Sequence, residues 1–307
     1  LSLRRQRQMC IRDRDQPNSL PFFLEGNPDD PQPLTNEQLA SFIDLPLFQD
    51  YKVLPERTVK IKQHQDNIEF AAMVESMDES LGRIVDHIDQ LGLTDSTLIV
   101  FFSDNGGMSG ANFGGASRVV DPSRLDSAYS TSNLPLRGAK GWLYEGGIRV
   151  PMIVKWPEKF SDSSLIVEEP VISTDFYPSL LEMAGLPARD EQALDGVSFV
   201  PALNGEPFNR GPIFWHFPQY SNHGMQSPGG AVRFGDYKLL EYFENNTVQL
   251  FNLREDIGER NDLSQTEPVI REELRGLLRS WREDVNAQMP PRNPDYDPSQ
   301  YPHTGLQ

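Results

Sequence analysis

An unbroken apolar run, Leu98-Ile99-Val100-Phe101-Phe102, stops abruptly at Ser103-Asp104-Asn105-Gly106-Gly107. Such a run suits a strand buried on both faces, as in a parallel sheet covered by helices. In open α/β sheets ligands collect at the carboxyl ends of strands, so a carboxylate and an amide oxygen placed there by two flexible glycines read as a site. Hard oxygen donors without nearby histidine or cysteine favour Ca2+ or Mg2+ over zinc. Asp-Asn-Gly is also ordinary turn chemistry, and these residues alone leave both readings open.

A second segment, Leu136-Arg137-Gly138-Ala139-Lys140-Gly141-Trp142-Leu143-Tyr144-Glu145-Gly146-Gly147-Ile148-Arg149-Val150-Pro151, shifts the balance towards a site. The glycines flanking Lys140 let its ammonium come close to an anion. Glu145 and Arg149 can pair to hold the loop. Between the two segments, residues 108–133 are too long and polar for a tight connection and are expected to line a cleft.

Elsewhere the pattern alternates helix and strand. From Asn67 to Leu91, Phe70, Met73, Met77, Leu81, Ile84, Ile88 and Leu91 recur at helical spacing, which predicts a core-facing helix ended by Gly92, with the methionines in the packing. Val150 to Trp156 reads as another buried strand, and Asp175 as the cap of a helix from Phe176 to Gly185. After about Leu203 strands take over: Tyr237–Phe243 and Val248–Leu253 flank an asparagine-rich turn, and Pro268 opens a helix bearing Ile270, Leu274, Leu278, Trp281 and Val285. The segment from Trp215 to His223 offers aromatic faces with nearby donors, His216, Tyr220 and His223, which suit a sugar or an aryl group.

The formal charge of −17 argues against a nucleic-acid partner, since phosphate binding needs a basic surface. No apolar run is long enough to span a bilayer. The single cysteine, Cys10, excludes an internal disulfide. Residues 1–14 hold five of the 28 basic residues and one of the 45 acidic ones, and are expected to be a non-native leader.

SDNGG followed by PLRG-x-KG-x-LYEGGIRVP resembles the type I sulfatases of the alkaline phosphatase superfamily. The resemblance implies an alkaline-phosphatase-like layered α/β domain with a smaller C-terminal α+β subdomain. It implies one Ca2+ ion with Asp104 and Asn105 among its ligands, and Lys140 as a catalytic contact to sulfate. It further implies a formylglycine nucleophile made from a cysteine or serine in a C/S-x-P-S-R motif. That motif has no match here: Cys10 lies in a different context, and Val120-Asp121-Pro122-Ser123-Arg124 has valine at the reactive position. Leu20–Leu24 resembles the family's PFFLY strand without the histidine that often follows, for which His64 is a weak substitute.

The expected organisation is therefore a leader, 1–14; a truncated catalytic α/β domain, 15–203; a C-terminal subdomain, 204–286; and a proline-rich tail, 287–307. The expected activity is hydrolysis of a sulfate ester of a carbohydrate or aryl substrate, with negligible turnover and weak calcium binding by this chain itself. A phosphonate monoester or phosphodiester hydrolase of the same superfamily, and a noncatalytic carbohydrate-binding relative, are the alternatives. By analogy with the family the location is periplasmic or extracellular, and the oligomeric state is left open.

Overall fold

The computed structural model describes residues 22–25, 59–62, 65, 67–109, 130–160, 165–187, 191–219, 226–291 and 294. His64, Tyr220, His223, the leader, most of the loop between the two motifs and most of the tail lie outside the described residues. The first strands, β1 (Phe22–Glu25) and β2 (Val59–Lys62), pair antiparallel.

Helix α1 (Ile68–Gln90) begins where Asn67 accepts the Phe70 N–H at 3.0 Å. It ends at Gly92, whose φ of +68° lets Leu93 N–H reach back to Ile88 O and Gly92 N–H to Asp89 O, the two bonds that close a helix end through a left-handed glycine. The buried face carries Ala71 and Val74, continued by half-buried Leu81, Val85 and Ile88. Met73 and Met77 are exposed, at 69% and 44%, so the expectation that they pack in the core is overturned. The covered face lies about one position round the helix from the predicted stripe, whose Ile84 and Leu91 are exposed as well.

After a short 3-10 turn at Thr94–Ser96, β3 (Ile99–Phe102) pairs antiparallel with β4 (Met152–Lys155), Val100 opposite Val154. The expected parallel, doubly covered strand is not what the described residues form, and Phe102 and Ile153 are each 45% exposed. An apolar run reports removal from water but not the direction of the neighbouring strand. One face of this pair packs on a cluster built from Trp156, Met183, Phe199 and Val200, with Leu98, Met152, Val154 and Phe176 against it. A single helical turn, α2 (Glu145–Ile148), precedes β4, and α3 (Phe176–Met183) and α4 (Val200–Leu203) follow it.

Asp175 supports this region, though not as a side-chain cap for α3. Its wholly buried carboxylate turns back to accept Ile172 N–H and Val197 N–H, each at 2.9 Å, and pairs with Arg210 Nε at 3.0 Å. Three partners leave the carboxylate none to spare for the helix start.

The last five elements form one unit. Strands β5 (Ile213–Phe217), β6 (Gly229–Phe234), β7 (Tyr237–Tyr242) and β8 (Val248–Asn252) make an antiparallel meander, crossed by helix α5 (Pro268–Asp284). Successive strand residues face opposite sides. Val232, Leu239 and Leu250 meet Leu274 and Leu278 of α5, while Ala231, Leu240 and Phe251 meet Trp142, Leu143 and Tyr144 of the glycine-rich segment. The motif segment is thus the second cover of this sheet. Burying Trp142 and Tyr144 to within 2% of complete contributes roughly 2–3 kcal/mol each.

Candidate functional site

Four glycines bring the two motifs together. Gly106 N–H donates to Gly147 O at 2.9 Å, and Lys140 N–H donates to Gly107 O at 3.0 Å. A Cβ on Gly106 would fall on the Gly146 carbonyl oxygen, and one on Gly147 would fall on the Trp142 carbonyl oxygen. Gly107 and Gly146 are equally confined, the first by Thr131 and Asn133, the second by the Arg137 and Gly138 carbonyls. Asn133 fastens the junction, its Nδ2 lying 2.8 Å from Gly107 O, 3.0 Å from Gly146 O and 3.2 Å from Gly138 O.

On this frame the Ser103–Gly107 turn leaves the end of β3. Ser103 Oγ donates to Asn105 O at 2.9 Å, and Asn105 Nδ2 donates to Gly106 O at 3.0 Å. With its amide nitrogen engaged, Asn105 has its Oδ1 left as the acceptor on offer, beside the exposed Asp104 carboxylate. Lys140 is half-buried between Gly138 (φ +78°) and Gly141 (φ +87°), which let the chain double back twice around it. The structure therefore joins the backbones bearing Asp104, Asn105 and Lys140.

The hard oxygens of Asp104 and Asn105 fit Ca2+ in kind, and they supply two of the roughly 6–8 ligands it takes. Among the described residues, no group of three or more His, Cys, Asp or Glu side chains is placed to hold a metal ion.

His216 is not brought to this junction. It lies on the α5 face of the sheet, its Nε2 bonded to Gln288 O at 2.8 Å and its ring 5.6 Å from Phe243 and 6.5 Å from Trp281. Alternation explains this placement: Phe214, two residues before it, stacks on Trp281, whereas Trp215 turns to the other face.

Beneath the loop is a buried ionic cluster. Lys238 Nζ lies 2.9 Å from Glu145 Oε1 and 2.8 Å from Glu259 Oε1, with all three side chains at most 2% exposed. The expected Glu145–Arg149 pair is present at 3.6 Å but is the longer contact, and Arg233 approaches at 4.0 Å. Glu259 Oε2 accepts the Glu145 N–H at 2.6 Å, and Arg137 Nη1 donates to Glu259 O at 2.9 Å. Alongside, the Arg137 guanidinium covers the Tyr144 ring at 4.1 Å, and Tyr144 donates to Gln249 Oε1 at 2.6 Å. Sequence reasoning missed Lys238 and Glu259. The one usable signal was a lysine at an inward position of a strand, in phase with Leu240 and Tyr242.

Burial pushes the Glu259 carboxyl up to about 7, helped by the Glu145 charge and opposed by Lys238. Burial acts on Glu145 too, but Lys238, then Arg233 and Arg149, hold it below its ordinary value. Glu259 thus binds its proton more tightly folded than unfolded, so its contribution to stability is full below pH 4.5 and is lost as pH rises to about 7. Glu145 works the other way, its contribution lost only as pH falls below that ordinary value. Glu259→Gln is expected to flatten the decline between about pH 5 and 7, which denaturant midpoints measured across that range would show. A decline of equal slope in the variant would place the titrating group elsewhere.

Comparison with known proteins matches residues 19–186 to the family described as Sulfatase, and residues 139–284 to the family described as N-sulphoglucosamine sulphohydrolase, C-terminal. A sulfatase of Formosa agariphila is 30% identical over 87% of this chain and 53% of its own length. Human steryl-sulfatase is 28% identical over 72% of this chain and 40% of its own. The crystal structure of Ps i-CgsB in complex with k-i-k-neocarrahexaose superposes with a TM-score of 0.56 at 30% identity, covering 71% of this chain and 44% of that one. The chain spans about half the length of the curated relatives it matches.

Proposed function

Because this chain belongs to the sulfatase family, we propose that its two joined motifs form part of a site for hydrolysis of a sulfate ester, carried on a saccharide or an aryl group. The observation that carries the reading is the pair of backbone bonds from Gly106 to Gly147 and from Lys140 to Gly107. They set the Asp104–Asn105 turn beside the Lys140 loop, so one oxyanion can be met from both sides. Residues 15–203 are taken as the catalytic portion and 204–286 as the subdomain that braces it.

Asp104 and Asn105 would hold a calcium ion from one side. When bound, the ion supplies positive charge against the sulfuryl oxygens, the kind of stabilisation that is commonly the largest catalytic contribution. Lys140 adds a second cation, a point charge on a flexible stem whose backbone the junction fixes. Held at its amide by Gly107, it need order only its side chain to reach an oxygen. A formylglycine does not fit the residues present, since the chain holds no C/S-x-P-S-R stretch, and attack on sulfur is assigned to none of them. Among the described residues no helix is long and apolar enough to cross a membrane, and the family suggests a periplasmic or extracellular setting.

A saccharide substrate draws support from the neocarrahexaose bound by the i-CgsB relative. Titration of the chain with inorganic sulfate, followed by the Lys140 ammonium resonance, tests the reading. Sulfate should move that resonance, and Lys140→Met should abolish sulfate binding as measured by titration calorimetry. Undiminished sulfate affinity in Lys140→Met would place the anion elsewhere.

A further inference from the structure

Glu259 sits at a corner after β8 with φ +53° and its side chain wholly buried. That backbone region is uncommon for a residue with a Cβ, so tertiary contacts must hold it there. Three polar contacts do so. The Glu259 carboxylate takes the Glu145 N–H on one oxygen and the Lys238 ammonium on the other, and the Glu259 carbonyl takes Arg137 Nη1–H.

Arg137 and Glu145 are the two ends of the loop that carries Lys140. Across separations of 122 and 114 positions, a single residue ties both ends together. One short bond within the loop, Gly146 N–H to Arg137 O at 2.6 Å, closes the same neck. The apolar residues between, Trp142 to Tyr144, anchor the loop to the sheet, Tyr144 also lies under the Arg137 guanidinium at 4.1 Å, and the Lys140 N–H faces Gly107.

We propose that Glu259 is a positioning residue for Lys140, acting through the neck of the loop and not by contact with substrate. The inference rests on the reading of Lys140 as the sulfate contact. It gives the C-terminal sheet a part in catalysis: its far corner sets where the ammonium is presented. Packing alone would make a different prediction, because Trp142 and Tyr144 would then hold the loop whether or not the carboxylate was present.

The test uses the full chain and two substitutions. Glu259→Gly removes the side chain and relieves the left-handed backbone, so any loss cannot come from strain. Glu259→Gln keeps an acceptor for the Glu145 N–H. Amide hydrogen exchange is followed at residues 138–145, with α5 as internal reference, and the Lys140 ammonium is titrated with inorganic sulfate. Glu259→Gly is expected to speed exchange of the loop amides, Lys140 N–H above all, by about tenfold or more while α5 is unchanged. Glu259→Gln should restore most of the protection, and sulfate affinity should follow the same order.

Loop exchange at the original rate in Glu259→Gly, or a rise shared equally by α5, overturns the proposal. If Lys140 ignores sulfate in the unsubstituted chain, the sulfate-contact reading fails instead. The ratio of loop to helix exchange still decides whether Glu259 holds the loop.

Discussion

Lys238→Met is expected to destabilise the protein by about 3–5 kcal/mol at neutral pH, the cost of leaving buried carboxylates without their cation. Lys238 is completely buried and serves two acids at once, 2.9 Å from Glu145 and 2.8 Å from Glu259. Methionine fills the same volume, so the loss is one of charge rather than of packing. The deficit should shrink as pH falls from the alkaline side, because Lys238 holds the Glu259 carboxyl down and without it burial makes that group take up a proton at higher pH than in the parent, removing one of the two orphaned charges. Urea denaturation at alkaline and at mildly acidic pH measures both effects. A variant as stable as the parent at alkaline pH would show that the cluster is held by its apolar surroundings alone.

Gly106→Ala should cost at least about 3 kcal/mol, because the new methyl meets backbone rather than a movable side chain. Its Cβ would fall on the Gly146 oxygen and within 3.0 Å of Gly147 Cα. Relief requires the turn and the loop to part, which breaks the Gly106–Gly147 bond and carries Asp104 away from Lys140. Loss of stability and loss of anion binding should therefore appear together. Gly276→Ala, in the open interior of α5, is the control: nothing lies within 4 Å of its Cβ, and roughly 0.5–1 kcal/mol of added stability is expected. Chemical denaturation of both variants decides the point, and a Gly106→Ala protein matching the parent would mean that the motifs do not abut.

Features set by neighbours along the chain were legible in the sequence. The capped helix ending at Gly92, the hairpin across Asn245-Asn246 and the helix opening at Pro268 depend on residues a few positions apart, and the structure has each of them. The motif glycines announced a close approach without saying to what. Their partners lie some forty residues away, and only the folded backbone shows that Gly106 abuts Gly146. The side of the sheet on which His216 lies was not legible because a run of aromatic residues looks like one platform, although a strand sends alternate members to opposite faces. Lys238 and Glu259 left almost no local trace, since their role is defined by Glu145, 93 and 114 positions away. For the glycines, Lys238 and Glu259 the information was in long-range contacts, which periodicity does not encode.

A cation at Asp104–Asn105 and the Lys140 ammonium are expected to meet the same oxyanion. Sulfate affinity measured by titration calorimetry with and without Ca2+ tests this directly. Calcium should tighten sulfate binding by about tenfold, a coupling of ordinary size for two ligands that share a site. Asp104→Ala should erase that coupling, and Lys140→Met should leave no sulfate binding for calcium to tighten. Sulfate affinity that is the same with calcium present or absent, in a protein that binds both, would contradict the account.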